Sequence, residues 1–135
     1  MPSLQILLAG DAEPARALRS ALRAEGFEAG VYAGTGQVAD MIELERSLTD
    51  DRPCACVSVG DTEEALTLAI TAAKLGIPLA ASFAEESARP DDAGRPTRRI
   101  LSTLAELETE AGADAASQRV AEWIRNAGSR LGGSA

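Results

Sequence analysis

The residues best suited to chemistry in this sequence lie in a short turn, Gly60-Asp61-Thr62. The turn follows an apolar run that ends at Val59 and precedes an apolar helical pattern. It places a carboxylate and a hydroxyl at the carboxyl end of a predicted strand, where open α/β sheets bind ligands. Asp61 is therefore a candidate site acid. With Glu64 three residues later it is also a near match to a capping box, and we favour that structural role.

Two further segments carry groups that suit an anion. Gly10 ends the first apolar run, and the helix amino terminus after it can receive a phosphate. Two acidic residues follow at once and would repel an anion, which favours a plain strand-to-helix turn. Arg95, Arg98 and Arg99 begin a later helix, where the helix dipole disfavours cations. They indicate either a site for an anion or an acidic partner, or a solvated loop, which we favour.

The chain contains no histidine and two cysteines, Cys54 and Cys56. This excludes Ser-His and Cys-His nucleophiles, and a zinc site would need carboxylates alone. The cysteines lie two residues apart in one predicted strand, so we interpret them as small buried hydrophobic residues in a reducing compartment. We predict no metal and no cofactor.

The formal net charge is -8, which repels nucleic-acid phosphates and anionic lipid surfaces. We therefore expect no nucleic-acid or membrane partner. No apolar run approaches the ~20 residues of a transmembrane helix. The amino terminus has no basic leader, so we expect a cytoplasmic protein.

The alternation of apolar runs and helical patterns predicts a three-layer, doubly wound α/β domain with a mostly parallel sheet of four to five strands. A single Rossmann-like domain is predicted over residues 1–128, with a mobile loop at about 85–95 and a flexible tail at 129–135. The predicted strands span residues 4–9, 27–33, 54–59, 77–83 and a short 107–109.

Three helical patterns bear on packing. The second predicted helix is marked by apolar residues at Val38, Met41, Ile42 and Leu48. The third, from about 62 to 75, is apolar on most faces, which indicates that something besides the sheet covers it. The last runs from 113 to 127 and ends at Gly128; its Trp123 is either an oligomer contact or a core residue, and the core is favoured.

Four segments, taken in order, resemble the amino-terminal Rossmann-like domain of the non-hydrolysing UDP-N-acetylglucosamine 2-epimerases, which is half of a GT-B fold. The similarity spans roughly residues 4–124. It implies a ligand-binding edge at Gly10, Thr35, Gln37, Gly60, Asp61, Thr62 and Arg95, and a UDP-sugar as the ligand class. It leaves Asp61 and Asp91 as candidate catalytic acids. The segments are Leu8-Ala9-Gly10, Thr35-Gly36-Gln37, Gly60-Asp61-Thr62 followed by Gly76-Ile77-Pro78, and Pro90-Asp91-Asp92-Ala93-Gly94-Arg95.

The chain departs from the family pattern where the chemistry matters most. Phe83 stands at the family's proposed catalytic glutamate, Ser87 at an arginine and Val38 at a histidine. A phenyl ring has no group that can accept or donate a proton in catalysis, and losing the arginine removes a natural clamp for phosphates. In the family, a second half completes the site, and from the length of this sequence we expect that half to be absent from it.

Three hypotheses remain open. The first is a non-catalytic, single-domain epimerase-like protein that binds a protein partner or self-associates, for example through its third helix. The second is a nucleotide-sugar-binding or epimerase subunit completed by another chain. The third is a receiver-like signalling domain with Asp61 as phosphoacceptor, which the lack of a lysine on the fifth strand opposes.

Overall fold

A computed structural model describes residues 6–10, 12–32, 38–60, 62–83, 95–109 and 113–133. Strands and helices alternate along this part of the chain. The strands are β1 (Ile6–Gly10), β2 (Ala29–Val31), β3 (Ala55–Val59), β4 (Leu79–Ser82) and β5 (Leu107–Thr109). The helices are α1 (Ala12–Ala24), α2 (Val38–Asp50), α3 (Glu63–Leu75), α4 (Arg95–Leu104) and α5 (Ala113–Gly133).

The strands described form one parallel sheet in the order β2-β1-β3-β4-β5. Parallel strands need crossover connections. Helices α1 to α4 each lie between two consecutive strands and supply these connections, and α5 follows the last strand. β3 lies at the centre and is buried at all its positions, which explains its continuous run of small apolar residues. The order reverses between β1 and β3, so the sheet has its topological switch point there. The predicted doubly wound α/β fold is confirmed.

The helices cover the two faces of the sheet as separate layers. α1 and α5 pack together on one face, over a core that includes Leu18, Leu22, Val57 and Val120. α2, α3 and α4 pack on the other face over a second core, which includes Leu44, Leu68, Phe83 and Leu101. Trp123 packs against the first core, as predicted.

α3 is the central helix of its layer, because it contacts α2 on one side and α4 on the other as well as the sheet. On the α2 side, Lys74 makes an ion pair with Glu45 at 3.1 Å. The last turn of α3 is closed by Arg52, whose guanidinium donates to the carbonyls of Leu75 and Gly76 at 2.9 and 3.1 Å. These neighbours account for the apolar surface that the sequence predicts for this helix.

Three predictions about local structure are wrong. Cys54 is exposed, because β3 begins one residue later than predicted, and Cys56 is buried. Ile42 is 57% exposed, since the buried stripe of α2 follows the four-residue spacing of Leu44 and Leu48 instead. α5 does not end at Gly128 but continues to Gly133, so the predicted tail at 129–135 begins inside the helix. An interior glycine weakens a helix by about 1 kcal/mol without necessarily ending it.

The predicted loop at 85–95 lies outside the described residues except for Arg95, at which α4 begins. Among the helices of the described ranges, none combines the length and the apolar character needed to cross a bilayer.

Candidate functional site

The candidate site is the edge of the sheet where the parallel strands end, because Gly10, Gly60 and Thr62 meet there. Gly10 pairs with Val59 across β1 and β3, which places it beside Gly60. The Gly60 amide donates to the Ser82 carbonyl of β4 at 2.8 Å, and its φ is 79°. The switch point of the sheet is therefore lined by two glycines with positive φ.

Gly10 is explained by strand packing alone. Its φ is 136°, and a Cβ placed on it would lie 1.8 Å from the Val59 carbonyl oxygen. Only glycine lets the end of β1 come this close to β3. The glycine that the sequence offers as a phosphate-binding element thus has a structural reason to be there.

Thr62 is the N-cap of α3. Its backbone is extended, and its hydroxyl accepts a hydrogen bond from the Ala65 amide at 3.2 Å. The sequence predicts Asp61 as this cap, and that prediction is wrong by one residue. The shift arises because α3 begins at Glu63, so that the residue before it takes the cap position.

Phe83 follows β4, and its side chain is only 1% exposed. The resemblance predicts that this position corresponds to the family's proposed catalytic glutamate. The guanidinium carbon of Arg98 lies 4.2 Å from the centre of its ring. A cation on the face of an aromatic ring is attracted by the ring quadrupole, so this contact holds the start of α4 against the end of β4. The edge at β4 thus presents a covered ring instead of a proton-transferring group.

Beside Phe83, the ends of β4 and β5 are joined by buried hydroxyls. Thr109 Oγ1 donates to Ser82 Oγ at 3.0 Å, and the Phe83 amide donates to the Thr109 carbonyl at 2.8 Å. Both hydroxyl side chains are largely excluded from solvent. Their pairing satisfies polar groups that burial would otherwise penalise.

The structure brings together some of the predicted site residues and leaves others untested. Gly10, Gly60 and Thr62 share the sheet edge, and α4 starts at Arg95, of which the backbone alone is described. The remaining predicted site residues lie outside the described ranges: Thr35, Gln37, Asp61 and Asp91.

Sequence reasoning noted Phe83 and Arg98 separately and missed the contact between them. The two residues are separated by a polar segment with no periodicity, so no spacing rule relates them. The one available signal is the run of arginines at the start of α4, a place where the helix dipole does not attract them.

A shallow groove of about 470 Å³ lies along α4 and is lined by Arg98, Arg99, Ser102 and Thr103. Ser102 Oγ donates to the Glu108 carboxylate on β5 at 2.8 Å. The Glu108 carboxylate, which is bonded to Ser102 beside the groove, partly offsets the positive charge of Arg98 and Arg99. The groove is open, and its lining combines two arginines with two hydroxyl side chains.

The described residues favour neither a metal site nor a reactive thiol. No group of three potential metal-ligating side chains occurs among them. Burial raises the pKa of the Cys56 thiol from 9.0 to about 12, and the nearby Arg52 charge only partly opposes this. Cys56 is therefore protonated at neutral pH and a poor nucleophile.

Solved structures that are similar to this one include UDP-N-acetylglucosamine 2-epimerases. The enzyme from Rickettsia bellii superposes with a TM-score of 0.59 at 14% identity, over 80% of this chain and 38% of its own. The enzyme from Methanocaldococcus jannaschii gives 0.58 at 20% identity, over 88% and 42%. S. aureus MnaA, solved with UDP, gives 0.60 at 18% identity, over 88% and 41%.

These superpositions confirm the predicted resemblance at the level of the fold. The chain has the fold of one half of a GT-B-type epimerase and spans about two fifths of the length of these proteins. No protein-family model matches the sequence, and no curated protein matches it either.

Proposed function

We propose that this chain is a non-catalytic, epimerase-like domain that acts by binding, either to a protein partner or to a second copy of itself. The observation that carries the proposal is the buried Phe83 ring, covered by Arg98, at the end of β4. By resemblance this is the place of the family's proton-transferring carboxylate. Epimerisation at a sugar carbon needs an acid or base within hydrogen-bond reach of the carbon's proton.

The whole sequence supports this proposal. It has no histidine that would replace the lost carboxylate as a proton carrier near neutral pH. Its net charge of -8 gives no general attraction for the diphosphate of a UDP-sugar. Arg98, near the sheet edge, is stacked on the Phe83 ring.

The experiment that tests the non-catalytic role is a turnover assay with UDP-N-acetylglucosamine. The purified chain is incubated with the sugar nucleotide, and the anomeric proton signals are followed by NMR over about a day. We expect the substrate signals to persist unchanged. Formation of the 2-epimer or of free UDP at a rate that scales with protein concentration would contradict the proposal.

A nucleotide-sugar-binding subunit is the second candidate, and the solved complex of MnaA with UDP motivates it. Thermal-shift measurements with UDP and UDP-N-acetylglucosamine distinguish it from the first. A saturable shift that Asp61→Ala abolishes would favour this candidate. If neither ligand changes the melting temperature, protein binding remains the proposal.

The receiver-like alternative has the weakest support. The strand order is one that receiver domains also use. However, β5 reads Leu-Glu-Thr and ends in the buried Thr109, so it offers no lysine to a phosphoryl group. Intact-mass measurement after treatment with acetyl phosphate is the direct test, and we expect no adduct.

A further inference from the structure

The sheet ends at β2, and one helix borders this end on each face. In the described part of the chain, α1 packs over β1 and β2 with α5 beside it, and on the other face α2 packs with α3 beside it. β2 is the last strand at this end of the sheet. The flank of α1 that faces away from α5 and the flank of α2 that faces away from α3 therefore look outward at the same end of the molecule.

Arginines line the outward flank of α1. Glu25, directly after this helix, makes an ion pair with Arg125 of α5 at 3.4 Å, which marks the side that faces α5. Arg23 precedes Glu25 by two residues, more than half a helical turn, and so lies on the opposite flank. Arg16 is two turns before Arg23 on the same stripe, and the half-buried Arg19 lies between them.

Acidic side chains line the outward flank of α2. Glu45 makes an ion pair with Lys74 of α3 at 3.1 Å, so Glu43, two residues earlier, lies on the flank that faces away from α3. Asp50 is two turns after Glu43 and shares its stripe. We call the surface formed by the two outward flanks the β2 edge. Its charged members are Arg16, Arg19, Arg23, Glu43 and Asp50.

The charges of the β2 edge are available to a partner. Arg16, Arg23, Glu43 and Asp50 are exposed. Among the residues that the structure describes, none of these four side chains makes an ion pair or a hydrogen bond. The β2 edge is therefore basic on one face of the sheet and acidic on the other, and α3 and α4 contribute nothing to it.

The helices on the two faces lie at matching heights along the strands. α1, α2 and α3 have 13 residues each. Gly10 of β1 pairs with Val59 of β3, so α1 and α3 begin beside each other at the same end of the sheet. Arg52, two residues after α2, donates to the carbonyls at the end of α3, so α2 and α3 end together.

The charges on these helices are spaced alike. Arg16 and Arg23 are the fifth and twelfth residues of α1. Glu43 and Asp50 are the sixth and thirteenth residues of α2. Within each helix the two charges are seven residues apart, which is about 10.5 Å along the axis. The basic pair and the acidic pair therefore match in spacing and, to within about one residue, in height.

We propose that a second copy of this chain binds the β2 edge across a two-fold axis parallel to the strands. This rotation keeps every height and exchanges the two faces of the sheet, so α1 of each chain lies beside α2 of the other. Arg16 then lies opposite Glu43, and Arg23 lies opposite Asp50. A two-fold axis perpendicular to the sheet would instead set α1 against α1 and α2 against α2, with like charges opposed. The contact is isologous, so it closes as a dimer.

This surface predicts a weak dimer that depends on salt. Each of its two helix contacts is about 20 Å long and about 10 Å wide, so each chain buries about 400 Å², half the ~800 Å² of a standard interface. Ion pairs supply the affinity, and exposed ion pairs are individually weak. At about 0.1 M salt the Debye length is about 10 Å, which screens most of the repulsion between two chains of net charge -8 but not the pairs in contact.

This inference rests on the proposed function and names its partner. The test is sedimentation of the chain from about 10 to about 500 µM in about 0.1 M salt, a range that brackets weak association. We expect a concentration-dependent species with twice the 14.0 kDa chain mass. Raising the salt to about 0.5 M should weaken the dimer by about tenfold, because exposed charges are then screened. A dimer whose dissociation constant ignores salt would contradict the proposal.

Charge-reversed chains test the pairing. Arg23→Glu and Asp50→Arg each oppose like charges in both helix contacts, and each should weaken self-association by about tenfold. An equal mixture of the two variants should form a heterodimer of about wild-type affinity, because both helix contacts then join opposite charges at this height. Arg119→Glu makes the same change of charge on the exposed surface of α5, away from the β2 edge, and should leave the dimer unchanged.

A mismatched mixture tests the heights. Arg16→Glu mixed with Asp50→Arg should stay weak, because the two reversed charges lie about two turns apart and cannot meet. Recovery as complete as that of Arg23→Glu with Asp50→Arg would show that net charge alone governs the association, and would overturn the assigned pairing.

A wild-type chain that stays monomeric at about 500 µM, or a dimer that Arg23→Glu and Asp50→Arg leave intact, would also overturn the proposal. Neither result bears on the turnover assay. A monomer that is inert toward UDP-N-acetylglucosamine contradicts the dimer alone, whereas a dimer that turns the substrate over contradicts the non-catalytic role alone.

Discussion

Cys54 and Cys56 differ by two positions and have opposite surroundings. Cys54 is exposed ahead of β3, whereas Cys56 faces the core beneath α3. Burial disfavours the thiolate of Cys56 and raises its pKa to about 12, while the positive charge of Arg52 lowers it by a smaller amount. Ionisation of the buried Cys56 thiol therefore destabilises the folded state.

This difference predicts a pH dependence that belongs to Cys56. Above pH 9 the unfolded chain releases this proton while the folded chain keeps it until about 12. The free energy of unfolding should therefore fall as the pH rises through this window, with up to about 1.4 kcal/mol per pH unit from this group. Urea unfolding in reducing buffer from about pH 8 to about pH 11 measures the slope.

The controls are two alanine variants. Cys56→Ala removes the titrating group, so the stability gap between it and the wild type should narrow as the pH rises. Cys54→Ala removes an exposed thiol and serves as the control for losing a sulfur atom outside the core. Parallel stability curves for the wild type and Cys56→Ala would contradict this assignment.

At the scale of elements, the end of β1 depends on one close approach to β3. A Cβ at position 10 would lie 1.8 Å from the Val59 carbonyl oxygen, and φ there is 136°. Gly10→Ala should therefore force the strands apart and cost more than about 3 kcal/mol, a large fraction of the roughly 5–15 kcal/mol that stabilises a domain. Thermal unfolding followed by circular dichroism measures the loss.

Gly26→Ala is the matched control, because Gly26 also has a positive φ, 99°, but a Cβ there meets nothing within 4 Å. It should cost only the backbone strain, about 1 to 2 kcal/mol. Equal stability of the two variants would show that the strand contact contributes nothing.

The sequence predicts the elements well where one residue pattern decides them. The continuous apolar run of β3 and the Gly76 ending of α3 are such patterns, and the structure agrees within about a residue. β2 is shorter than predicted because it pairs only with β1, and that partner sets how many residues join the ladder. The Ile42 position was mispredicted because the buried side of α2 follows Leu44 and Leu48. The end of α5 was mispredicted because one interior glycine weakens a helix without necessarily ending it.

The candidate site was predictable only in part. The glycines at the strand ends follow from turn chemistry, and both lie where the sequence places them. The Phe83–Arg98 stack depends on how the chain returns after β4 to start α4, which no local spacing encodes. The Thr109–Ser82 pair likewise follows from the side-by-side placement of β4 and β5.

For the molecule as a whole, one sheet is shared by two cores. β1 and β3 contribute alternate side chains to both faces: Val57 belongs to the core under α1 and α5, and Cys56 to the core under α2 to α4. If either core loses its packing, the strands that both cores share lose the packing on one of their faces. The described domain should therefore unfold in one cooperative step.

Trp123, the only tryptophan, reports on one layer and so tests this coupling. Leu68→Ala empties a fully buried site in the opposite layer, and Leu18→Ala empties one in the layer of Trp123. Each should cost about 2 to 5 kcal/mol. At one fixed protein concentration, Leu68→Ala should lower the urea midpoint seen by Trp123 fluorescence and by far-ultraviolet circular dichroism equally. A tryptophan transition that Leu68→Ala leaves in place, while the circular dichroism midpoint falls, would show that the two layers unfold independently.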